Sequence, residues 1–204
     1  MTAPGAELRT TMAEHLAAFR PVAAELGQRR PASVALCVVL AADVPSLLVT
    51  RRAPRMRAHA GQWALPGGRR ETGETVPEAA LRELEEETGV RLGPESVLGV
   101  LDDYPTRSGY VMSPVVVWGG VTDGVFVAQE SEVARVHVVP VADLDVPPRM
   151  LSIPESDAPV IQLPLLGGWV HAPTAAVVHQ FCEVALHGRP TRVAHLEQPV
   201  FAWR

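Results

Sequence analysis

Apolar residues return every three or four positions near the start of the chain. Leu8, Met12, Leu16, Phe19, Ala23 and Leu26 form one stripe, which predicts an amphipathic helix over 7–26. Gly27 and Pro31 close it. The period then changes. SVALCVVLA (33–41) is a continuous, β-branched apolar run and reads as a buried strand. SLLVTRR (46–52) follows a short turn at Pro45 and resembles its hairpin partner, while 53–64 reads as a loop. Helical spacing resumes after Thr75, which forms a capping box with Glu78. Pro77 is tolerated in the first turn, and Gly89 is the expected left-handed stop. SVLGVLDDYP (96–105), YVMSPVVVWGGV (110–121), GVFVAQ (124–129) and VARVHVVPVADL (133–144) then alternate strand-like stretches with turns. Residues 145–160 are proline-rich and read as irregular. IQLPLLGGWV (161–170) supplies one or two strands. TAAVVHQFCEVALHG (174–188) is a second helix, with Val177, Phe181, Val184 and Ala185 on one face. Strands with few helices predict an α/β fold whose helices cover both faces of a mixed sheet. The expected organisation is an N-terminal helix (1–31) appended to one domain over 32–204.

Composition narrows the function. The 204 residues are 47% hydrophobic and 20% charged, enough to bury a core in one domain. The net charge of −5 gives no pull toward nucleic acid or an anionic membrane surface. The chain has no lysine, which excludes a lysine nucleophile, a Schiff base and a phosphate-loop lysine. Cys37 and Cys182 are too few for a disulfide scaffold or a zinc site, and Cys37 reads as a small buried hydrophobe. The first residues lack the pattern of a signal peptide, and no apolar run reaches the roughly 18 residues of a membrane span. A cytoplasmic protein is expected.

The charges are unevenly placed. Arg51, Arg52, Arg55, Arg57, Arg69 and Arg70 crowd the segment before Glu83, Glu85, Glu86 and Glu87. A helix advances about 100° per residue, so Glu87 falls about 40° from Glu83 on one side and Glu86 about 60° on the other. Glu85 points away. Like charges at this spacing repel. Either the face is solvated, or a hard divalent cation such as Mg²⁺ sits among the three carboxylates.

The wider spacing separates these readings. Gly68, five residues, Glu74, seven residues, Arg82-Glu83-Leu84, one residue, Glu86-Glu87, one residue and Gly89-Val90 match the Nudix box throughout its 23 residues. The chain therefore resembles the Nudix hydrolases. The resemblance implies an α/β/α sandwich with a mixed β-sheet and a Mg²⁺- or Mn²⁺-dependent pyrophosphohydrolase acting on a nucleoside diphosphate linked to another group. It further implies metal ligands at Glu83, Glu86, Glu87 and the Gly67 carbonyl. Glu74, Arg82 and Gly68 are expected to brace the loop. The catalytic base is expected at Glu83 or Glu132, with Glu130 the weaker neighbour.

Upstream, Leu48-Val49-Thr50-x-Arg52-Ala53-x3-Arg57-x3-Gly61-x3-Leu65-Pro66-Gly67-Gly68 resembles the signature of the coenzyme A diphosphatase subfamily, with Val49 for Leu and Leu65 for Phe. WVHAPTAAVV (169–178) matches that subfamily's last segment only loosely. The resemblance implies hydrolysis of coenzyme A or acyl-CoA to 3′,5′-ADP and (acyl-)4′-phosphopantetheine. Arg52 and Arg57, with Arg69, are the expected phosphate contacts, since arginine grips phosphate bidentately and keeps its charge. Trp63 is read either as a stacking platform or as core, and His59 is assigned no role. Two alternatives stay open: hydrolysis of another nucleoside diphosphate derivative (ADP-ribose, NADH or an oxidised nucleotide), or a non-catalytic nucleotide-binding regulatory domain. The expected partner is a small nucleotide, without nucleic acid or membrane. The N-terminal helix is read as capping the domain or as forming a homodimer.

Overall fold

A computed structural model of the chain describes residues 4–54, 61–129 and 131–203. In chain order the elements are α1 (Pro4–Ala18), β1 (Arg30–Ala41), β2 (Val44–Arg52), β3 (Trp63–Ala64), β4 (Gly67–Arg69) and α2 (Val76–Thr88). There follow β5 (Val97–Val100), β6 (Tyr104–Pro105), β7 (Tyr110–Thr122), β8 (Val133–Pro140) and α3 (Val141–Leu144). The chain ends with β9 (Arg149–Ile153), β10 (Ser156–Leu165), β11 (Gly168–His171) and α4 (Thr174–Phe181), which runs into a π-helical turn over Cys182–Leu186.

The apolar run 33–41 becomes the middle of the molecule. β1 pairs antiparallel with β2, parallel with β7 along its whole length, and antiparallel with β4 at its start. The eight-stranded sheet runs β3-β2-β1-β7-β5, with β8 on β2 and β6 on β7. Alternate residues of β1 serve opposite faces, as the twofold period of a strand requires. Val34, Leu36 and Val38 join α1, α4 and the second sheet in one core. Ala35, Cys37 and Val39 join Ala80 and Leu84 of α2 in another. This is the expected α/β/α sandwich with a mixed sheet. Cys37 lies buried on the α2 side, and burial pushes its thiol up to about 12.

Three elements differ from the sequence reading. The first helix ends at Ala18 rather than 26. Pro21 disfavours helical geometry at Arg20, so the stripe breaks there. Met12 and Leu16 are nonetheless buried in the larger core, with Phe19 just beyond. The segment 124–129 is not a strand among the described residues. Gly124 (φ +80°) turns the chain, the Val127 amide bonds to the Thr88 carbonyl at 3.1 Å, and Val125 and Val127 stay exposed. Residues 145–148, with Pro147 and Pro148, are irregular as read, but 149–160 are not: β9 and β10 form an antiparallel pair that continues into β11. Pro154 falls in the turn between them, and Pro159 is accommodated by an irregular register between Ser156 and Val160.

The last segment is held firmly to the sheet. The Tyr104 hydroxyl donates to the Leu196 carbonyl (2.7 Å), the Glu197 amide to the Pro159 carbonyl (2.8 Å), and the Trp203 indole to the Gln198 carbonyl (2.9 Å). Glu197 is buried and forms an ion pair with Arg107 while accepting from the Ser156 hydroxyl. No described helix is long and apolar enough to cross a membrane.

The hydrogen bonds from Arg107, ahead of those from the Gln198 amide and Ser156, hold the Glu197 carboxyl down to about 2, against 4.5 in an unfolded chain. Its contribution is therefore complete above pH 4.5 and vanishes as pH falls toward 2. Glu197→Gln should cost on the order of 2 kcal/mol at pH 7. Urea unfolding should show the gap to wild type narrowing below pH 4.5; a gap independent of pH would contradict the pairing.

Candidate functional site

The site is built where β4 lies against β1. Gly67 pairs with Val34 and Gly68 with Ser33, and the Ala35 amide donates to the Pro66 carbonyl at 2.8 Å. Gly67 admits no side chain, and one at Gly68 would displace the Glu83 carboxyl. A Cβ on Gly67 would stand 2.5 Å from the Ser33 carbonyl oxygen, and one on Gly68 would stand 2.4 Å from Glu83 Oε1. Backbone therefore comes close to the acidic helix. α2 starts at the Thr75–Glu78 capping box and stops at Gly89 (φ +75°), as the sequence implies.

Arg82 organises the polar side of α2. Its Nε donates to Glu74 Oε1 at 2.7 Å, Nη1 to Glu83 Oε1 at 2.8 Å and to Glu86 Oε2 at 3.1 Å, and Nη2 to the Arg69 carbonyl at 3.0 Å. One guanidinium thus ties loop to helix. Hydrogen bonding to Arg82 depresses the Glu74 carboxyl, and the same contacts push the Arg82 pKa up. Glu83 moves the other way: burial raises it, the Arg82 hydrogen bond opposes that, and Glu86 and Glu132 add to the rise.

Glu87 has a different environment. It is 3% exposed and accepts a single long bond, 3.4 Å, from the Gly67 amide. Burial lifts its carboxyl to about 7; Arg52 pulls against this, and Glu83 and Glu132 reinforce it. Glu85 faces away and pairs with Arg91.

These groups line a single cavity of about 950 Å³. Glu83, Glu86 and Glu87 meet Gly67 and Gly68 there, with Arg52, Arg69 and Glu132. Arg52 Nε is buried and has no hydrogen-bond partner among the described residues, whereas Arg69 Nε donates to the Tyr110 hydroxyl at 3.0 Å. Trp63 lines the cavity too, edge-on to His137 with Arg51 over its ring. Arg57, Glu130 and His59 lie outside the described residues.

As placed, no three His, Cys, Asp or Glu side chains among the described residues converge to hold a metal ion. Glu83 and Glu86 each accept a hydrogen bond from Arg82, while Glu87 bonds to the Gly67 amide. The donor set still fits a hard cation. Glu87 is a buried carboxylate short of positive charge, and a Gly68 side chain would occupy the space beside Glu83.

Trp169 and His171 on β11, and Gln198 and Phe201 near the C-terminus, also line the cavity. The sequence reading met Trp169 and His171 only in the loose match of 169–178 and gave them no role, and it missed Gln198 and Phe201, because the second sheet and the pinned last segment bring them in from distant parts of the chain.

Residues 29–162 match the family model described as the NUDIX domain. Among curated proteins, a stretch of 98 residues is 41% identical to a Yersinia enterocolitica protein named uncharacterized Nudix hydrolase NudL, covering 47% of this chain and 49% of that one. A protein of the same name from Citrobacter koseri is 41% identical over 130 residues, 61% of this chain and 65% of the relative. The matched region thus spans about half to two thirds of these two relatives. Among solved structures, a MutT/nudix family protein from Enterococcus faecalis superposes with a TM-score of 0.52 at 19% identity, covering 93% of this chain and 78% of that one, a likeness of fold.

Ionised Glu87 destabilises the metal-free fold, because its folded pKa of about 7 lies above the unfolded value of 4.5. Stability contributed by the protonated form is lost as pH rises through 7. In EDTA, Glu87→Gln should be more stable than wild type at pH 8 by on the order of 2 kcal/mol, and nearly equal to it at pH 4.5. Chemical denaturation at the two pH values checks this; a variant less stable at pH 8 would refute it.

Proposed function

The chain belongs to the Nudix family, and on that premise we propose that it is a metal-dependent diphosphatase whose substrate is coenzyme A or an acyl-CoA. One observation carries the reading: a single cavity presents the box carboxylates Glu83, Glu86 and Glu87, a further carboxylate at Glu132, and the two arginines Arg52 and Arg69. Carboxylates for a cation beside guanidinium groups for phosphate suit a bridged diphosphate. The 48–68 signature supports coenzyme A within that class, and the cavity is of a size for a large ligand.

Glu83, Glu86 and Glu87, with the Gly67 carbonyl, would hold Mg²⁺ or Mn²⁺. When bound, such an ion neutralises diphosphate oxygens and lowers the cost of deprotonating water. The protein's part is positioning and proton transfer. Arg52 and Arg69 bind the phosphates and align the scissile phosphorus. Glu132 or Glu83 takes a proton from the attacking water. The water oxygen bonds to phosphorus as the bridging P–O bond breaks, giving 3′,5′-ADP and (acyl-)4′-phosphopantetheine. Arg82 and Glu74 fix the loop and Glu83 throughout, and Gly68 leaves room for the Glu83 carboxyl.

Incubating the protein with coenzyme A, ADP-ribose, NADH and oxidised nucleotides, each with Mg²⁺ and Mn²⁺, tests the substrate. Coenzyme A should give the highest kcat/KM. Glu86→Gln should lower kcat by about 100-fold or more, and Arg52→Ala should raise KM for coenzyme A by about tenfold. Product analysis by chromatography checks both. Turnover retained in the Glu86 variant, or hydrolysis of the other compounds in preference to coenzyme A, would reject the corresponding part.

A further inference from the structure

The cavity that holds the carboxylates also has an aromatic part. Trp169 is 48% exposed and Phe201 is 57% exposed, yet both line the cavity, as does His171, two residues after Trp169 on β11. Phe201 stands edge-on to His171, ring centroids 5.3 Å apart. Large apolar side chains left open to solvent inside a polar cavity are unfavourable unless a ligand covers them. Their rings are also not free to collapse. The Gln162 amide donates to His171 Nε2, and burial lowers the His171 pKa. Arg149 lies over Trp169. Phe201 follows the segment pinned by the Tyr104, Arg107 and Trp203 contacts. Three π-systems thus line the same cavity as Arg52, Arg69 and the box carboxylates.

We propose that Trp169, His171 and Phe201 form the seat for the nucleobase of the substrate, and that the C-terminal segment is thereby a specificity element. The assignment rests on reading the ligand as a nucleoside diphosphate derivative. A purine suits this wall because it presents two flat faces to rings and needs no charge there, whereas arginine and carboxylate groups elsewhere in the cavity take the diphosphate. Trp169, His171 and Phe201 lie outside residues 29–162, so the matched region supplies the acidic helix while the remainder of the chain supplies base recognition.

Calorimetric titration of the full chain with AMP and with ribose 5-phosphate tests this without any turnover. AMP should bind about tenfold or more tightly than ribose 5-phosphate. Phe201→Ala and Trp169→Ala should each remove most of that advantage and leave ribose 5-phosphate within about twofold of wild type, and Phe201→Tyr, which keeps a ring, should restore it. Both sites are half-exposed, so the variants fold; circular dichroism confirms it. Equal affinities for the two ligands, no measurable binding of AMP, or equal losses for both in the variants would overturn the assignment. Absence of hydrolysis across the nucleoside diphosphate panel would instead strike the proposed reaction and leave a base-dependent binding result intact.

Discussion

A single guanidinium couples the halves of the site. Arg82 reaches Glu74 in the loop, Glu83 and Glu86 on its own helix, and the Arg69 carbonyl at the end of β4. Each bond is charge-assisted, and together they fix the distance between the glycine strand and the acidic face. Three glutamates so close would otherwise repel. Glu87, one turn further and bonded to the Gly67 amide of β4, takes no bond from Arg82. The result is two kinds of carboxylate on one helix: some satisfied by arginine, one buried and poorly compensated. That difference makes the site receptive to positive charge.

Much of this was legible in the chain. The box spacing placed α2, its capping box and its glycine stop, because caps and left-handed turns depend on local chemistry. The twofold character of 33–41 was visible as an unbroken apolar run, which only a strand covered on both faces sustains. Where the reading failed, long-range contacts decided. Val125 and Val127 look strand-like, but no neighbouring strand pairs with them. The prolines of 149–160 look like a loop, but a register irregularity lets β9 and β10 pair around Pro159. The stripe 7–26 ignored Pro21. Within the site, the box residues were readable because they are consecutive on one loop and helix. Trp169, His171 and Phe201 were not, because only the second sheet and the anchored C-terminal segment bring them to the cavity.

The molecule thus divides its labour by chain region. The box carboxylates sit on one loop and helix, where Gly67 lies against β1 backbone and Gly68 against the Glu83 side chain. Arg52 and Glu132 reach the same cavity from β2 and from just before β8, and β11 and the residues pinned through Arg107 and Glu197 line another part of it.

β1 adds a thermodynamic consequence. Its even-numbered residues belong to one core and its odd-numbered residues to the other, and it carries β2, β4 and β7 as direct neighbours. The strand cannot leave without opening both layers. Heat or denaturant should therefore meet one all-or-none transition, with the acidic helix and the distant aromatic wall disappearing together.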